Sequence, residues 1–309
     1  MRGYSDYNKI IEGIRFGFKL GIDNALVLKS SKGSHGNREL WQCMTKEIEL
    51  GRIFGPFCEP PLPNLHVSPV QAIPKKTPGK YRLIHNLSAP HGSSVNEAIP
   101  NEVKSVTFCK ISEVVDFLLQ HKDEQIFMSK VDLKDAFRIV PINKTDWGYL
   151  GMKIDNFYFV DTVLPMGCGT SCAIFQSITN ALCWMVVKII PEVSIFGYLD
   201  DFLIISNGKN KAQEHLAAFL KLCNDLGIPI AEEKTAGPTQ SIVFLGIGLD
   251  SINNTLYLDE TKKYKYTQKI NKFMGKKDYY KAVAKSGEDP FLFIAGCPTR
   301  QAFYVSHIS

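Results

Sequence analysis

Hydrophobic and polar positions along this chain follow two different periods, which predict helices and strands in mixed order. Apolar residues recur at helical spacing in 39–53, 111–121 and 211–227, and the run 171–190 is apolar on nearly all sides, as in a buried helix. Shorter apolar or alternating runs predict strands at 70–76, 80–87, 126–133, 156–164, 194–206, 241–250 and 255–259. Because strands and helices do not alternate strictly, the pattern favours an α+β fold.

Segments rich in loop-forming residues separate these elements. The stretch 30–37 consists of Ser, Gly, Asn and other polar residues, and it predicts a boundary after an N-terminal extension. Residues 55–69 include five prolines, so this segment is extended or looped. Thr77-Pro78-Gly79 lies between two strand-like runs and predicts a hairpin.

The composition is that of an ordinary globular protein. The chain has 309 residues, 45% of them hydrophobic and 22% charged, which excludes disordered, collagen-like and disulfide-scaffold proteins. The length predicts two domains or one large one. A net charge of +5 permits a nucleic-acid partner without requiring one.

The cysteines and the apolar runs indicate an intracellular protein without a membrane span. The eight cysteines follow a polar, charged N-terminus rather than an apolar leader, so we expect free thiols in a reducing compartment, either cytoplasm or nucleus. The longest apolar run, 181–190, is interrupted by Lys188 and is too short to cross a bilayer. We therefore expect no membrane partner.

Two adjacent aspartates are the most unusual chemical feature of the sequence. Asp200 and Asp201 lie between the two apolar runs of 194–206, where a simple turn needs only one such residue. Crowded carboxylates at a hairpin tip repel each other unless a hard cation binds them. The pair alone leaves two interpretations open, an Asp-containing turn or a metal site.

Asp132 favours the metal site. It ends the hydrophobic strand 126–133, which we expect to neighbour the hairpin in one sheet. Three carboxylates would complete a site for two divalent cations, which stabilise the attacking and leaving oxygens in phosphoryl transfer. Asp135 is the competing candidate, but it lies three residues further on and is interpreted as a helix-start or turn carboxylate.

Taken together, these motifs resemble the reverse transcriptase family. VDLKDAFRI matches the family's first catalytic motif at Asp132, and Tyr198-Leu199-Asp200-Asp201 matches its Tyr-x-Asp-Asp motif. Four further segments resemble family motifs in the family's order: the fingers hairpin (79–88), the segment before the long palm helix (164–176), the later palm motif (232–235) and the primer grip (244–249).

The resemblance implies a right-hand polymerase fold, which is α+β with fingers, an antiparallel-sheet palm and a thumb. We expect an N-terminal extension at 1–38, fingers and palm at 39–252 and a partial thumb at 253–309. The C-terminal region resembles the family only faintly, so we expect this thumb to be truncated.

The resemblance also implies roles for single residues. Asp132, Asp200 and Asp201 would be the catalytic and metal-binding residues, holding two Mg²⁺ ions, with Mn²⁺ as the alternative. The expected partners are an RNA or DNA template with its primer and deoxynucleoside triphosphates, and the oligomeric state stays open. The residues expected to contact the nucleotide are Lys80, Arg82, Phe137, Met166, Gly167 and Lys234.

Physical chemistry supports several of these roles. The Arg82 guanidinium offers a fixed fork of donors for phosphate oxygens, and Lys80 would assist it. Phe137 would put a bulky ring where a ribose 2′-hydroxyl lies, which favours deoxynucleotides, although core packing is the ordinary role of such a ring. Gly167 permits a close approach of the backbone to substrate, and Lys234 is the candidate general acid near the triphosphate.

Some residues depart from the family's common pattern or carry a narrower resemblance. Met166 stands where many relatives carry Gln, and Asn86 stands where many carry Asp. Gln176 is interpreted as a residue that caps or packs within its own helix.

A narrower resemblance covers the region around the hairpin. It looks like the reverse transcriptases of DIRS-like retroelements, which pair the polymerase with a tyrosine recombinase. The resemblance rests on the order of five motifs: the Pro-rich loop, Val-Ser-Pro, Ile-Pro-Lys-Lys, Arg-Leu-Ile-His and Gly-Ser-Ser-Val-Asn.

The excess positive charge is concentrated in one segment. Residues 261–285, the lysine segment, contain nine lysines and one aspartate, a net charge of +8, so the rest of the chain sums to −3. A solvated helix face is the ordinary interpretation of such a run. Its position after the primer-grip-like motif favours a thumb whose lysines face template–primer phosphates.

The predicted function is an RNA-directed DNA polymerase of retrotransposon origin, a nucleotidyltransferase that extends a primer by two-metal-ion chemistry. The alternative is a catalytically inactive retroelement remnant that binds nucleic acid, which the short thumb favours. An RNA-dependent RNA polymerase would share the palm, but Phe137 argues against it because RNA synthesis needs room for the 2′-hydroxyl.

Overall fold

The structure of the chain is a computed structural model. It describes residues 3–23, 28–75, 77–258, 263–265 and 267–268. Most of the lysine segment and most of the predicted thumb lie outside the described residues. The division into 1–38, 39–252 and 253–309 therefore stays a prediction.

The described part of the chain contains both helices and strands. The helices are α1 (Tyr7–Phe16), α2 (Arg38–Glu49), α3 (Asn101–Lys104), α4 (Ile111–Gln120), α5 (Ser171–Ile189) and α6 (Lys209–Asp225). The strands are β1 (Ile53–Phe57), β2 (Val70–Pro74), β3 (Tyr81–His85), β4 (Ile126–Asp132), β5 (Gly151–Ile154), β6 (Phe157–Asp161), β7 (Ser194–Tyr198), β8 (Asp201–Asn207), β9 (Ala236–Thr239), β10 (Ser241–Phe244), β11 (Ile247–Asp250) and β12 (Thr255–Tyr257). Short 3-10 helices lie at Ala136–Ile139, Lys144–Tyr149 and Glu232–Lys234.

The predicted α+β character is confirmed, and every run predicted as a helix or strand contains one. The prediction was incomplete at 241–250, which forms the two strands β10 and β11. Leu245 and Gly246 have φ angles of 48° and 79°, and they reverse the chain in a tight hairpin turn. Strands β1, β5 and β9 were not predicted, since their short sequences show no clear alternation of apolar and polar residues.

The central sheet has four antiparallel strands in the order β7-β8-β4-β9. Helices α5 and α6 pack on it, and Val131, Phe202 and Phe219 are fully buried in the resulting core. On the opposite face, α4 and the β10-β11-β12 meander cover Met128 and Leu203. Every second side chain of β4 points to this face. The apolar residues of α4 and the meander do not extend over the C-terminal end of β4.

A second antiparallel sheet, in the order β1-β6-β5, packs against α2. Its core includes Leu40 and Met44 from the helix and Met152 and Phe159 from the sheet, all nearly inaccessible to solvent. The predicted β2–β3 hairpin is confirmed and adds Val70 to the same core. The base of the hairpin is therefore anchored in this core, while the described residues at its tip are exposed to solvent.

The N-terminal segment shares its core with the central sheet. Ile10, Phe18 and Leu20 are buried in the same hydrophobic cluster as the sheet's apolar residues. The Phe18 N–H donates to the Pro141 carbonyl (2.8 Å), and the Asn143 N–H donates to the Phe18 carbonyl (3.0 Å). The segment from α1 to Leu20 is therefore a strap across the central core.

Helix α5 is long and apolar enough to span a membrane by length and composition, with a mean hydropathy of 1.4 over its best window. In the part of the chain that the structure describes, it is the one helix of this kind. Its side chains Phe175, Leu182 and Val186 are buried in the core of the central sheet. This packing agrees with the buried helix predicted from the sequence.

Candidate active site

The paired aspartates lie at a two-residue turn between β7 and β8. Tyr198 pairs with Asp201, so Leu199 and Asp200 alone connect the two strands. Leu199 has a φ angle of 51°, in the left-handed region that costs an ordinary residue roughly 1–2 kcal/mol. A residue keeps such a conformation only where surrounding contacts impose it.

Two buried side chains of α5 impose this conformation. Gln176 accepts a hydrogen bond from the Leu199 N–H (2.9 Å) and donates one to the Gly197 carbonyl (3.1 Å). The Thr179 hydroxyl lies 2.6 Å from the Leu199 carbonyl, to which it donates. Both side chains are almost inaccessible to solvent. The position of the Asp200-bearing turn is therefore tied to the long core helix.

Strand β4 brings a third carboxylate next to this turn. Asp132 lies directly opposite Asp201 in the β4–β8 ladder, and the Cβ atoms of such pairs are about 4.5–5.5 Å apart. The Leu133 N–H donates to the Asp200 carbonyl (2.9 Å), which ties the end of β4 to the turn. Asp132 and Asp201 share the sheet face that α4 and the meander cover only in part. The three predicted aspartates are thus brought together.

Two lysines face these carboxylates. Lys234, at the end of a short 3-10 helix, has its Nζ 2.7 Å from Asp132 Oδ1. Lys130 precedes Asp132 by two residues on the same face of β4, and its Nζ is 3.0 Å from Asp201 Oδ1. The hydrogen bond to Asp132 raises the pKa of Lys234, so its ammonium group is charged at neutral pH.

The carboxylates at this site crowd one another. Burial raises the pKa of Asp200, and the Asp132 and Asp201 carboxylates raise it further, while Lys234 acts in the opposite direction. Among the described residues, no three Asp, Glu, His or Cys side chains are arranged as ligands of one ion. Asp132 contacts Lys234, and Asp201 contacts Lys130. The donor chemistry nevertheless fits, because carboxylate oxygens suit Mg²⁺ and Mn²⁺ and a cation would relieve the repulsion.

The β2–β3 hairpin presents the predicted phosphate-binding residues to solvent. Arg82 lies opposite Ile73 in the hairpin, and Lys80 lies at its tip. Both cationic side chains are exposed. Their exposure leaves the Arg82 guanidinium fork and the Lys80 ammonium group accessible to an anionic ligand.

The loop that carries Met166 and Gly167 contacts the base of this hairpin. The His85 N–H donates to the Met166 carbonyl (3.2 Å). Gly167 has a φ angle of 125°, and a Cβ atom there would lie 2.1 Å from the His85 carbonyl oxygen, so only glycine fits. The structure thus gives Gly167 an internal packing role in addition to the predicted contact with substrate.

Asn96 also binds this loop, at two positions of its backbone. Its side-chain amide donates a hydrogen bond to the Gly167 carbonyl (2.8 Å) and accepts one from the Gly169 N–H (2.7 Å).

Phe137 lies on the 3-10 helix that follows β4. Its ring centroid is 5.2 Å from that of Phe175 on α5, and the side chain is half-buried. Asp135 precedes this helix with a φ angle of 56°, and its carboxylate binds Arg52 (3.1 Å) rather than a helix N–H. Its interpretation as a helix-start or turn carboxylate is confirmed by this position, although its side chain caps no helix N–H.

Several residues at the site were not predicted from the sequence. Gln176 does bind Asn180 within its own helix (2.9 Å), but its other two hydrogen bonds reach the aspartate turn. The available signal was a glutamine in a helix that is apolar on nearly all sides, because a buried amide needs partners elsewhere. The strand period could have identified Lys130, since it shares a face with Asp132. Neither Thr179 nor Asn96 carries a comparable local signal.

Comparison with known families agrees with this arrangement. A family model described as "Reverse transcriptase (RNA-dependent DNA polymerase)" matches residues 73–249, more than half of the chain. The matched region includes β3, the β4 aspartate, the turn between β7 and β8 and the two lysines that face the carboxylates. The site described above therefore lies inside the matched family region.

Curated relatives are polyproteins of viruses and of a transposon. The Gag-Pro-Pol polyprotein of Human T-cell leukemia virus 2 is 29% identical over 211 residues, 66% of this chain and 13% of the relative. The enzymatic polyprotein of Cauliflower mosaic virus is 24% identical over 251 residues, covering 79% and 34%. The transposon Tf2-3 polyprotein of Schizosaccharomyces pombe is 22% identical over 281 residues, covering 88% and 19%. The chain thus spans about a third or less of each relative's length.

Solved structures show the same fold. The foamy viral protease-reverse transcriptase in complex with double-stranded DNA aligns with TM-scores of 0.61 and 0.60 in two structures. The sequence identities are 18% and 20%, and the alignments cover 79% and 78% of this chain and 40% and 46% of the other. The predicted right-hand polymerase fold with an antiparallel-sheet palm is confirmed. Because the family model matches more than half of its residues, the chain belongs to the reverse transcriptase (RNA-dependent DNA polymerase) family.

Proposed function

We propose that this chain is an active RNA-directed DNA polymerase, which extends a primer on an RNA or DNA template with deoxynucleoside triphosphates. The observation that carries the proposal is the juxtaposition of Asp132, Asp200 and Asp201 at the partly covered end of the central sheet. Three acidic residues in such proximity are unfavourable for a purely structural turn. The same arrangement suits an enzyme that transfers nucleotidyl groups.

The aspartates would hold two Mg²⁺ ions, with Mn²⁺ as the alternative. Asp132 and Asp200 are the proposed main ligands, and Asp201 lies beside them. When bound, such ions lower the pKa of a primer 3′-hydroxyl and neutralise charge on the triphosphate. Lys130 would balance the charge of Asp201, while Lys234, charged and next to Asp132, would donate a proton to the leaving pyrophosphate.

The incoming nucleotide is proposed to contact three segments. Arg82 and Lys80 would bind its triphosphate through charge-assisted hydrogen bonds. Phe137 would lie against the sugar and exclude a 2′-hydroxyl. Met166 and Gly167 would contact the nucleotide and the template from the loop before α5.

The origin and organisation of the chain are further parts of the proposal. The motif order across residues 47–100 supports a DIRS-like retroelement, whose polymerase is paired with a tyrosine recombinase. We propose fingers and palm at 39–252, flanked by an extension at 1–38 and a partial thumb at 253–309. The cysteine usage supports an intracellular location, in cytoplasm or nucleus.

A primer-extension assay with the purified chain tests the function directly. A labelled primer on an RNA template is expected to lengthen when Mg²⁺ and deoxynucleoside triphosphates are present, and the same is expected on a DNA template. Binding of the template–primer is measured in parallel by fluorescence anisotropy. Binding without extension in Mg²⁺ or Mn²⁺ would contradict the proposal and support a nucleic-acid-binding remnant.

Gln176 is expected to position the aspartate turn for catalysis. Gln176→Met should slow extension about 100-fold, because a displacement of roughly 1 Å at reacting groups has an effect of this size. Template–primer affinity should stay unchanged. Asn180→Ala is the control, since it removes only the partner of Gln176 within the helix. Single-turnover extension rates check the prediction, and equal slowing in both variants would contradict it.

Binding of template–primer is expected to weaken steeply as salt is raised. If six or more lysines of the lysine segment contact phosphates, the affinity should fall at least about 10³-fold between 50 and 200 mM salt. Lys265→Gln should reduce the slope of log affinity against log salt by about one, whereas Lys209→Gln on α6 should leave it unchanged. A flat salt response would mean that the lysine segment does not follow the phosphate backbone.

A further inference from the structure

An ionic cluster, with Arg138 and Asp161 buried and its other members half-buried, connects the segments proposed to form the nucleotide pocket. Its members are Glu47, Arg52, Asp135, Arg138 and Asp161. They come from α2, the turn before β1, the segment after β4 and the end of β6. None of them has a part in the chemistry proposed above.

Arg138 is the centre of the ionic cluster. Its Nε lies 2.8 Å from Glu47 Oε2, and its Nη1 lies 2.8 Å from Asp161 Oδ2 and 3.5 Å from the Leu164 carbonyl oxygen. Arg138 and Asp161 are only 8% and 1% exposed. The guanidinium thus joins α2 to the chain that runs from β6 into the Met166 loop.

Arg52 extends the ionic cluster to the segment that carries the proposed sugar gate. Its Nη2 lies 3.1 Å from Asp135 Oδ2, and its Nη1 lies 3.6 Å from Glu47 Oε1. Asp135 and Arg138 lie on either side of Phe137 in the chain. The chain is therefore held by the ionic cluster on both sides of Phe137, at Asp135 and at Arg138.

His85, at the base of the β2–β3 hairpin, packs beside the ionic cluster, and its Nδ1 makes no hydrogen bond within the described residues. Its Nδ1 is 3.9 Å from Asp161 Oδ2, and its backbone N–H binds the Met166 carbonyl. Burial lowers the pKa of His85 to about 3, so the imidazole is neutral at pH 7. Asp161 therefore lies between Arg138 and the hairpin whose β3 strand carries Arg82.

Stability alone does not account for the buried Arg138–Asp161 ion pair and the half-buried charges packed around it. Burying an ion costs several kcal/mol, and apolar residues of similar volume often give a core that is equally stable or more stable. Two guanidinium nitrogens of the ionic cluster, Arg52 Nη1 and Arg138 Nη2, are buried without a hydrogen-bond partner among the described residues. Paired charges do provide fixed geometry, because a guanidinium group donates hydrogen bonds to carboxylates only along defined directions.

We propose that Arg138 is a positioning residue for sugar selection. Through the ionic cluster it fixes the Phe137 helix relative to the Arg82 hairpin and the Met166 loop, so the gate ring and the phosphate-binding side chain keep their spacing. This inference rests on the proposed function, but it concerns the shape of the nucleotide pocket and not the presence of catalysis.

Arg138→Met and Arg138→Lys test this role against Arg15→Met, which changes an exposed arginine of α1. Steady-state extension gives kcat and KM for dATP and ATP, and labelled dATP gives the affinity without turnover. Arg138→Met is expected to raise KM and Kd for dATP about tenfold and to lower the dATP/ATP preference about tenfold, a smaller effect than the roughly 100-fold loss expected when reacting groups move by 1 Å. Arg138→Lys should recover part of both losses, and Arg15→Met should match the wild type.

The outcomes separate this inference from the proposed function. A lower Tm of Arg138→Met with wild-type KM, Kd and sugar preference would make the ionic cluster purely structural and overturn the inference. If Arg138→Met does not fold, Glu47→Gln, which keeps the side-chain size and removes one charge, carries the same comparison. A wild type that binds dATP without extending a primer would overturn the proposed function, while equal dATP affinity in wild type and Arg138 variants would overturn the inference alone.

Discussion

Asp200→Asn is expected to abolish primer extension and to leave the chain folded. The amide has the size of the carboxylate but no charge with which to hold a hard cation. Loss of the several kcal/mol that bound ions contribute to the transition state corresponds to a rate at least about 10³-fold lower. The turn itself should persist, because Gln176 and Thr179 bind the backbone of Leu199 and not the Asp200 side chain.

Single-turnover extension with Mg²⁺ measures this effect. Asp201→Asn and Asp132→Asn should be similarly inactive, whereas Asp123→Asn, in an exposed turn, should match the wild type. A second measurement does not depend on activity: Mn²⁺ should raise the Tm of the wild type and not that of Asp200→Asn, since only a bound ligand stabilises the folded state. Full extension by Asp200→Asn or Asp201→Asn would mean that the metal-site assignment is wrong.

Phe137→Ala is expected to admit ribonucleotides. The Phe137 ring is half-buried against Phe175 and partly open to solvent, so it combines packing with an accessible face. Removing it should raise the ATP/dATP ratio of kcat/KM roughly 10–100-fold, the range over which shape alone discriminates similar substrates. Extension with dATP should be reduced much less.

Two controls distinguish a gate from ordinary packing. Phe137→Tyr retains the ring and should keep the preference for deoxynucleotides. Phe117→Ala removes a similar half-buried ring from α4, so it should lower the Tm without changing sugar preference. Unchanged sugar preference in Phe137→Ala would remove the gate role and leave only packing against Phe175.

Elements with strong local periodicity could be predicted from the sequence, and the reason is physical. Helix α5 and the β7–β8 hairpin bury long apolar runs, so their patterns depend little on the rest of the chain. Asp132 could be placed beside Asp200 because a hydrophobic strand ending in a carboxylate pairs naturally with a hairpin of the same sheet. The register that puts Asp132 opposite Asp201 is a property of the whole sheet, and no local signal contains it.

Contacts between distant segments could not be predicted in this way. Arg138 looks like a polar residue that follows an aromatic ring, and only the fold brings it to Glu47, 91 positions earlier. Gln176 reaches Leu199, 23 positions later, for the same reason. Strands β1 and β9 are short and contain glycine and proline, so their pairing depends on neighbouring strands and not on their own propensity.

The N-terminal strap limits where this chain could be joined to a foreign sequence without losing its fold. Ile10, Phe18 and Leu20 fill the core of the central sheet, and losing a large buried side chain costs about 2–5 kcal/mol. A recombination event that joined a foreign sequence at residue 38 would discard all three, a loss comparable to the whole stability of roughly 5–15 kcal/mol of a typical domain. We therefore expect any recombined gene that encodes a folded version of this domain to retain α1, so that the strap and the aspartates are inherited together.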